Sequence, residues 1–286
     1  MQAFTYLRPA TVDEALGLLE EHGDKARLLA GGTDLVIELR NRWRTPEVVV
    51  DLKGIEELRP SIRIEGGRLV ITAATVMADL ERDPVVAERF PALAEAASVV
   101  GSVQIRNRAT LVGNICNGSP AADTTPPLLV YGAEMVIASR SGRRRVAIEE
   151  FVLGAGKVAL GPGEMVTAIE LPMDRPIAAA YTRMTRRHGT DLASITLCCG
   201  VDSKGTTRLA YGSVGPRAFL EVDETGLLAD PKASSAAKAP VLAALFAKAT
   251  PSKTSMRAGP EYRVAMLPVL GARALDIAIG RLGRTA

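Results

Sequence analysis

The stretch Ala30-Gly31-Gly32-Thr33-Asp34-Leu35 follows an apolar run, Leu28-Leu29, and continues into Val36-Ile37-Glu38-Leu39. The expected order is strand, glycine turn, helix. Adjacent glycines remove the Cβ atoms that hold a ligand away from the backbone, and free N–H groups at a helix start face an anion favourably. Thr33 or Asp34 can cap that helix. The pair Gly31-Gly32 can equally be plain loop punctuation. A second segment, Thr110-Leu111-Val112-Gly113-Asn114, runs on through Asn117-Gly118 to Ser119-Pro120-Ala121-Ala122-Asp123 and sets permissive positions among hydroxyl and amide side chains. The two segments read as halves of one phosphate cradle.

Before it, Phe4-Thr5-Tyr6-Leu7 is strand-like, and Thr11-Val12-Asp13-Glu14 is a capping box for an amphipathic helix through Glu21. Strands are expected at Val48–Leu52 and in a hairpin, Ser61 to Ala74, turned at Gly66-Gly67. Ala78 to Val100 has helical periodicity interrupted by Pro84 and Pro91, and a sheet region runs from Glu134–Ala138 to Glu170-Leu171-Pro172. Pro172 to Pro176 is the candidate boundary. Beyond it, Ala179–Arg186, Ala193–Asp202 and Thr206–Val214 suggest a meander, followed by helices over Lys238–Lys248 and Gly259–Leu282.

A chain of 286 residues has room for two or more domains. Lys plus Arg number 35 against 32 Asp plus Glu, a net charge of +3, which gives no reason to expect a nucleic acid partner. The cluster Arg140 to Arg145 reads as a solvated strand end around a Ser141-Gly142 turn. With no membrane-spanning run and no signal-like start, a cytoplasmic location is expected. Cys116, Cys198 and Cys199, with His22 and His188, match no zinc or iron–sulfur spacing, and Cys198-Cys199 reads as a pair of packed thiols. No serine–histidine constellation is present.

These motifs carry a resemblance. The chain resembles the FAD-binding medium subunit of the molybdenum hydroxylases, the group that includes xanthine dehydrogenase and aerobic carbon monoxide dehydrogenase. Ala30 to Leu35 match the family's A-G-G-T/H-D/S-L loop. Thr110, Gly113, Asn114, Ser119, Pro120 and Asp123 match its T-I/V-G-G-N loop and the N-x-x-x-S-P-x-x-D continuation. Gln104-Ile105-Arg106-Asn107-Arg108 agrees with the flanking sequence, and Tyr181, Arg183, Arg187, Asp191, Leu192 and Ala193 follow F-x-K-x-x-x-R-x-x-x-D-I/L-A. Two departures stand out. Val112 replaces the first glycine of G-G-N, and a β-branched residue tolerates positive φ poorly. Arg183 replaces lysine, which keeps the cation but as a planar fork.

The resemblance implies an α+β protein. Residues 1–173 would form a two-subdomain FAD-binding fold of the vanillyl-alcohol oxidase / p-cresol methylhydroxylase type, divided at about residues 1–55 and 56–173. Residues 174–286 would form a C-terminal domain of the carbon monoxide dehydrogenase flavoprotein type, a three-stranded sheet plus helices. It further implies noncovalent FAD, with its diphosphate against Ala30, Gly31, Gly32, Thr33, Asp34 and Leu35 on one side and Thr110, Gly113 and Asn114 on the other. Asp123 would meet a sugar or ribityl hydroxyl, or instead cap the helix entering Pro126-Pro127. Thr75, Ile105, Arg106 and Asn107 follow by position, with ordinary packing as the alternative. Arg183 and Arg187 would face the flavin's redox side or form surface ion pairs.

The implied activity is electron relay within a complex, from an iron–sulfur small subunit through FAD to NAD, quinone or another acceptor. Molybdopterin and 2Fe–2S clusters would reside on partner subunits, the molybdopterin on the large one. A self-sufficient FAD oxidase or dehydrogenase, and a flavin-free assembly subunit, are the alternatives.

Overall fold

The computed structural model describes residues 1–285; Ala286, the last residue of the expected C-terminal domain, lies outside them. The chain begins with β1 (Thr5–Leu7), α1 (Val12–His22), β2 (Ala26–Leu29), α2 (Leu35–Arg40) and β3 (Val48–Asp51). These strands form a small parallel sheet in the order β1-β3-β2. The α1 entry is the expected box with a shifted partner. Glu14 N–H donates to Thr11 Oγ1, while the Glu14 carboxylate accepts from Ala10 N–H. Val12, Ala15, Leu16 and Leu19 bury one face of α1, the i, i+3, i+4 spacing of an amphipathic helix.

Next come β4 (Ile62–Glu65), β5 (Arg68–Thr72), α3 (Met77–Arg82), α4 (Pro84–Arg89), α5 (Pro91–Ser98), α6 (Val103–Arg106), α7 (Leu111–Cys116) and α8 (Thr125–Val130). Pro84 and Pro91 each occupy a helix's first position, where a missing N–H costs nothing, so they divide one periodic stretch into three short helices. Then follow β6 (Glu134–Ser139), β7 (Gly142–Ala147), α9 (Ile148–Phe151), β8 (Val152–Gly154), β9 (Lys157–Val158) and β10 (Met165–Pro172).

The second sheet has the order β4-β5-β10-β6-β7, so the Ser61–Ala74 hairpin and the Glu134–Pro172 region belong together, with β10 between them. Every residue of β10 is buried, as its central place requires. The edge strand β7 carries Arg143, Arg144 and Arg145, paired with Glu57, Glu164 and Glu170. Charge on an exposed edge discourages pairing with another chain.

The C-terminal sheet corrects an expectation. Beside β11 (Ile177–Met184), β12 (Ile195–Asp202) and β13 (Thr207–Gly212) runs a fourth strand, β14 (Phe219–Asp223), giving the antiparallel order β11-β12-β13-β14. Its short sequence, Phe-Leu-Glu-Val-Asp, earns its place through pairing with β13 more than through its own pattern. The helices α10 (Ser235–Leu245) and α11 (Pro260–Thr285) follow, and Leu267, Leu270, Ala274 and Leu275 pack with Leu197, Cys199 and Tyr211 in a core of their own. A separate, larger core joins α1, both earlier sheets and helices α3, α4, α5, α7 and α8. Cys198 and Cys199 are buried thiols on opposite faces of β12, one in each core. Among the described residues, no helix is long and apolar enough to cross a membrane.

Candidate functional site

The two glycine segments meet along a cleft of about 1370 Å³. It exceeds the roughly 300–1,000 Å³ of ordinary small-molecule pockets, as an extended dinucleotide requires. The first wall begins where β2 ends. Gly32 has φ +78°, a left-handed conformation that an L side chain adopts only under strain, and a Cβ there would also press on Leu29. Gly31 is needed for another reason: its Cβ would stand 2.1 Å from the carbonyl oxygen of Arg108. The first loop therefore touches the chain that introduces the second half.

The N–H groups of Gly31, Gly32, Thr33, Asp34 and Leu35 make no hydrogen bond within the described residues, although all five line the cleft. Orphan donors at a helix start are anion-seeking. The anticipated side-chain cap is absent. Asp34 occupies the cap position of α2, but its carboxylate bonds no N–H of the helix, and partial burial followed by the charge of Glu38 pushes its pKa up. Beneath the loop, buried Asp51 accepts from Tyr6 Oη and from Lys53 Nζ at 2.6 Å, and Lys53 also reaches Ala30 O at 3.4 Å.

The opposite wall is the first turn of α7. Thr110 caps it, its Oγ1 accepting from Gly113 N–H at 3.0 Å, and a Cβ on Gly113 would stand 2.8 Å from that oxygen. A side chain at 113 would therefore require the Thr110 hydroxyl to shift. Val112 sits within helical backbone with no positive φ, and its side chain is buried in the larger core. The strain anticipated from replacing glycine there does not arise. Asn114 faces the cleft, with its Oδ1 accepting from Thr124 Oγ1 at 2.7 Å.

Asp123 lies further along the cleft, 7% exposed, and does not cap α8, whose N-terminus has no side-chain cap. Its Oδ1 accepts from Tyr181 Oη at 2.5 Å, and Arg183 Nη1 approaches both oxygens at 3.4 Å. Burial pushes this carboxyl up, against the downward pull of Tyr181 and Arg183. Arg183 accordingly stands behind Asp123 instead of on the wall. Ile105 lines the cleft. Thr75 does not: it is fully buried, donating Oγ1–H to Ser61 O, while its carbonyl accepts from Leu111 N–H and so anchors α7. Arg106 pairs with Glu81 outside the cleft.

Motif reading missed part of the enclosure. Leu153 and Lys157 of the β8–β9 hairpin, Gly163 and Thr190 also line it. Gly156 N–H donates to Gly118 O at 3.0 Å, docking that hairpin on the segment after α7. Such residues contribute through where their loops fall, and the only sequence cue was the pair of turn glycines at 154 and 156.

This geometry agrees with sequence comparison: the family described as the FAD binding domain in molybdopterin dehydrogenase matches residues 2–174. The chain belongs to that family. It is similar to the carbon monoxide dehydrogenase medium chain of Hydrogenophaga pseudoflava, 34% identical over 284 residues, 97% of this chain and 98% of that one. It is also similar to the xanthine dehydrogenase FAD-binding subunit of Escherichia coli O157:H7, 37% identical over 218 residues, 74% of each chain. Among solved structures, reconstituted CO dehydrogenase from Oligotropha carboxidovorans superposes with a TM-score of 0.90 at 31% identity, covering 98% of both chains. The α+β architecture is thus that of a molybdenum hydroxylase medium subunit, and the chain is an FAD-binding subunit of such an oxidoreductase. The cleft fits FAD: it is large, Gly31 and Gly32 present no Cβ to it, and the N–H groups that line it favour an anion.

Proposed function

We propose that this flavin subunit relays electrons within a molybdenum hydroxylase, receiving them from an iron–sulfur partner and passing them through FAD to NAD, a quinone or a similar acceptor. The observation that carries the reading is that the five N–H groups from Gly31 to Leu35, unpartnered among the described residues, line the same cleft as the first turn of α7. These donors, with Thr110, Gly113 and Asn114 opposite, hold the diphosphate, and Ala30 frames the turn. Asp123 accepts from a sugar or ribityl hydroxyl, a role suited to a carboxylate and unsuited to a phosphate contact. Ile105 adds apolar contact, while Thr75 and Arg183 act at one remove, by anchoring α7 and by pairing with Asp123.

Bound FAD supplies reversible one- and two-electron chemistry. The chain's own part is to place it, charge its surroundings and control access. Substrate oxidation belongs to a molybdopterin-bearing large subunit, and the 2Fe–2S clusters to a small one, because the three cysteines here are too few for a four-thiolate cluster. Attachment is noncovalent and the complex cytoplasmic.

Anaerobic bleaching tests the relay. Dithionite is expected to reduce flavin on the isolated chain, whereas an organic substrate does so only after the iron–sulfur and molybdenum partners are added. Equal substrate-driven bleaching without partners would overturn the relay and favour a self-sufficient oxidase or dehydrogenase. A chain that takes up no FAD at all would favour the flavin-free assembly role.

A further inference from the structure

Tyr181 stands where the family pattern has phenylalanine, two residues before the arginine that stands where the pattern has lysine. Alternate residues of a strand share a face, so β11 presents both side chains to Asp123. The contacts differ in quality. The phenol donates to Oδ1 at 2.5 Å, a short charge-assisted bond, while the guanidinium approaches at 3.4 Å, a long contact for an ion pair. Phenylalanine could not make the first contact. Tyr181 is itself fixed from behind: its N–H donates to Glu95 Oε2 at 2.9 Å, and Glu95 pairs with Arg281 of α11.

Building on the flavin reading above, we infer that Tyr181 is a positioning residue for the cofactor site, holding the Asp123 carboxylate ionised and aimed so that it can accept a cofactor hydroxyl. The geometry leaves Oδ1 occupied by the phenol, while Oδ2, with only the long Arg183 contact, is the oxygen available to a ligand in the cleft. The surroundings make this assistance necessary. Asp123 is nearly buried, which favours its neutral form, and Tyr181 and Arg183 oppose that tendency. Tyr181 remains a donor, because burial, then the charge of Asp123, raises its pKa well above the ordinary phenol value.

The other titratable groups near the pair do not take over this role. Cys198 on β12 stays a thiol, its pKa raised by burial, and Glu95 and Arg281 are bound to each other. A neutral Asp123 would carry a proton that competes for the same acceptor position. Cofactor affinity is therefore coupled to one proton at Asp123, and Tyr181 sets the pH at which that coupling acts.

The test is titration of FAD, followed by flavin fluorescence, into the full chain and its Tyr181→Phe, Asp123→Asn and double variants from pH 5 to 9. Tyr181→Phe is expected to bind more weakly toward pH 5, by up to about tenfold where a one-unit rise in the carboxyl's pKa acts in full. The deficit should shrink steadily as pH rises and the carboxyl ionises in both chains. Asp123→Asn should bind weakly without this pH dependence, and adding Tyr181→Phe to it should cost nothing further. Thermal melts without FAD check that each variant is folded. A parent-like pH profile in Tyr181→Phe, full affinity in Asp123→Asn, or an additive loss in the double variant would each overturn the inference. Failure of the parent chain to bind FAD at every pH would instead overturn the flavin reading on which it rests.

Discussion

The α-carbon of Gly31 packs so closely on Arg108 that a β-carbon would stand 2.1 Å from that residue's carbonyl oxygen. The two halves of the cleft therefore meet backbone to backbone, and the first glycine of the pair is selected by the protein's own chain as much as by any ligand. Gly32, with φ +78°, is selected by conformation.

Three glycine-to-alanine variants separate these causes. Gly31→Ala is expected to destabilise by roughly 1–3 kcal/mol, because backbone must shift to accept the methyl group. Gly32→Ala should cost about 1–2 kcal/mol through left-handed strain. Gly17→Ala, in the interior of α1 with nothing within 4 Å of the new atom, should stabilise by about 0.5–1 kcal/mol. Chemical denaturation measures all three, and FAD titration should show weakened binding only in the first two.

Restoring the family glycine at position 112 should harm the protein. Val112 is buried in a helical turn, so Val112→Gly loses packing and helix propensity, together costing roughly 2–4 kcal/mol. FAD affinity should change less than in Gly32→Val, which puts a branched side chain on the proposed phosphate surface. Equal or tighter binding by Gly32→Val than by the parent would contradict that assignment.

Acid sensitivity should trace in part to Asp51, under the first loop. Burial pushes its pKa up, but hydrogen bonds from Lys53 and Tyr6 outweigh this and leave it below the ordinary aspartate value. A carboxyl depressed in the folded state contributes stability that is present above its unfolded pKa of about 4 and is lost as pH falls through the folded value. Thermal midpoints of Asp51→Asn should therefore lie below the parent's at pH 6 and converge with them in strong acid. Parallel curves throughout would remove Asp51 from the account.

Acid precipitation of the FAD-loaded chain should leave all flavin in the supernatant. Neither His22 nor His188 lies on the cleft wall, and Cys116, which does, is held as an unreactive thiol, its pKa raised to about 12 by burial. Yellow colour retained by the washed pellet would show a covalent bond.

Local rules carried the reading wherever one residue type answers one local demand. The Gly32 turn, the Thr11 cap of α1 and the breaks at Pro84 and Pro91 are of that kind. Position 112 misled because a motif letter does not say whether its backbone is a left-handed loop or a helical turn. Thr75 and Arg183 share a different difficulty: each lies beside a residue of the cleft wall, and sequence spacing cannot separate touching a ligand from supporting what touches it. The strand β14 and the β8–β9 hairpin depend on distant partners, so no window of their own sequence contains the reason for them.

The clasp between Glu95 and Arg281 spans 186 positions of chain. Contacts that distant form late, since loop-closure entropy opposes them until the nearer structure is in place. During synthesis, at about 5–20 residues per second, β11 can be made well before the helix that clasps Glu95 behind it exists. Cofactor capture is then expected to follow α11, giving the subunit a built-in order of maturation: scaffold first, clasp second, flavin last. Nascent chains displayed beyond the ribosome on a C-terminal linker should accordingly retain less FAD when they end ahead of Gly259 than when they run through Thr285, and equal retention would show that the cleft matures without the clasp.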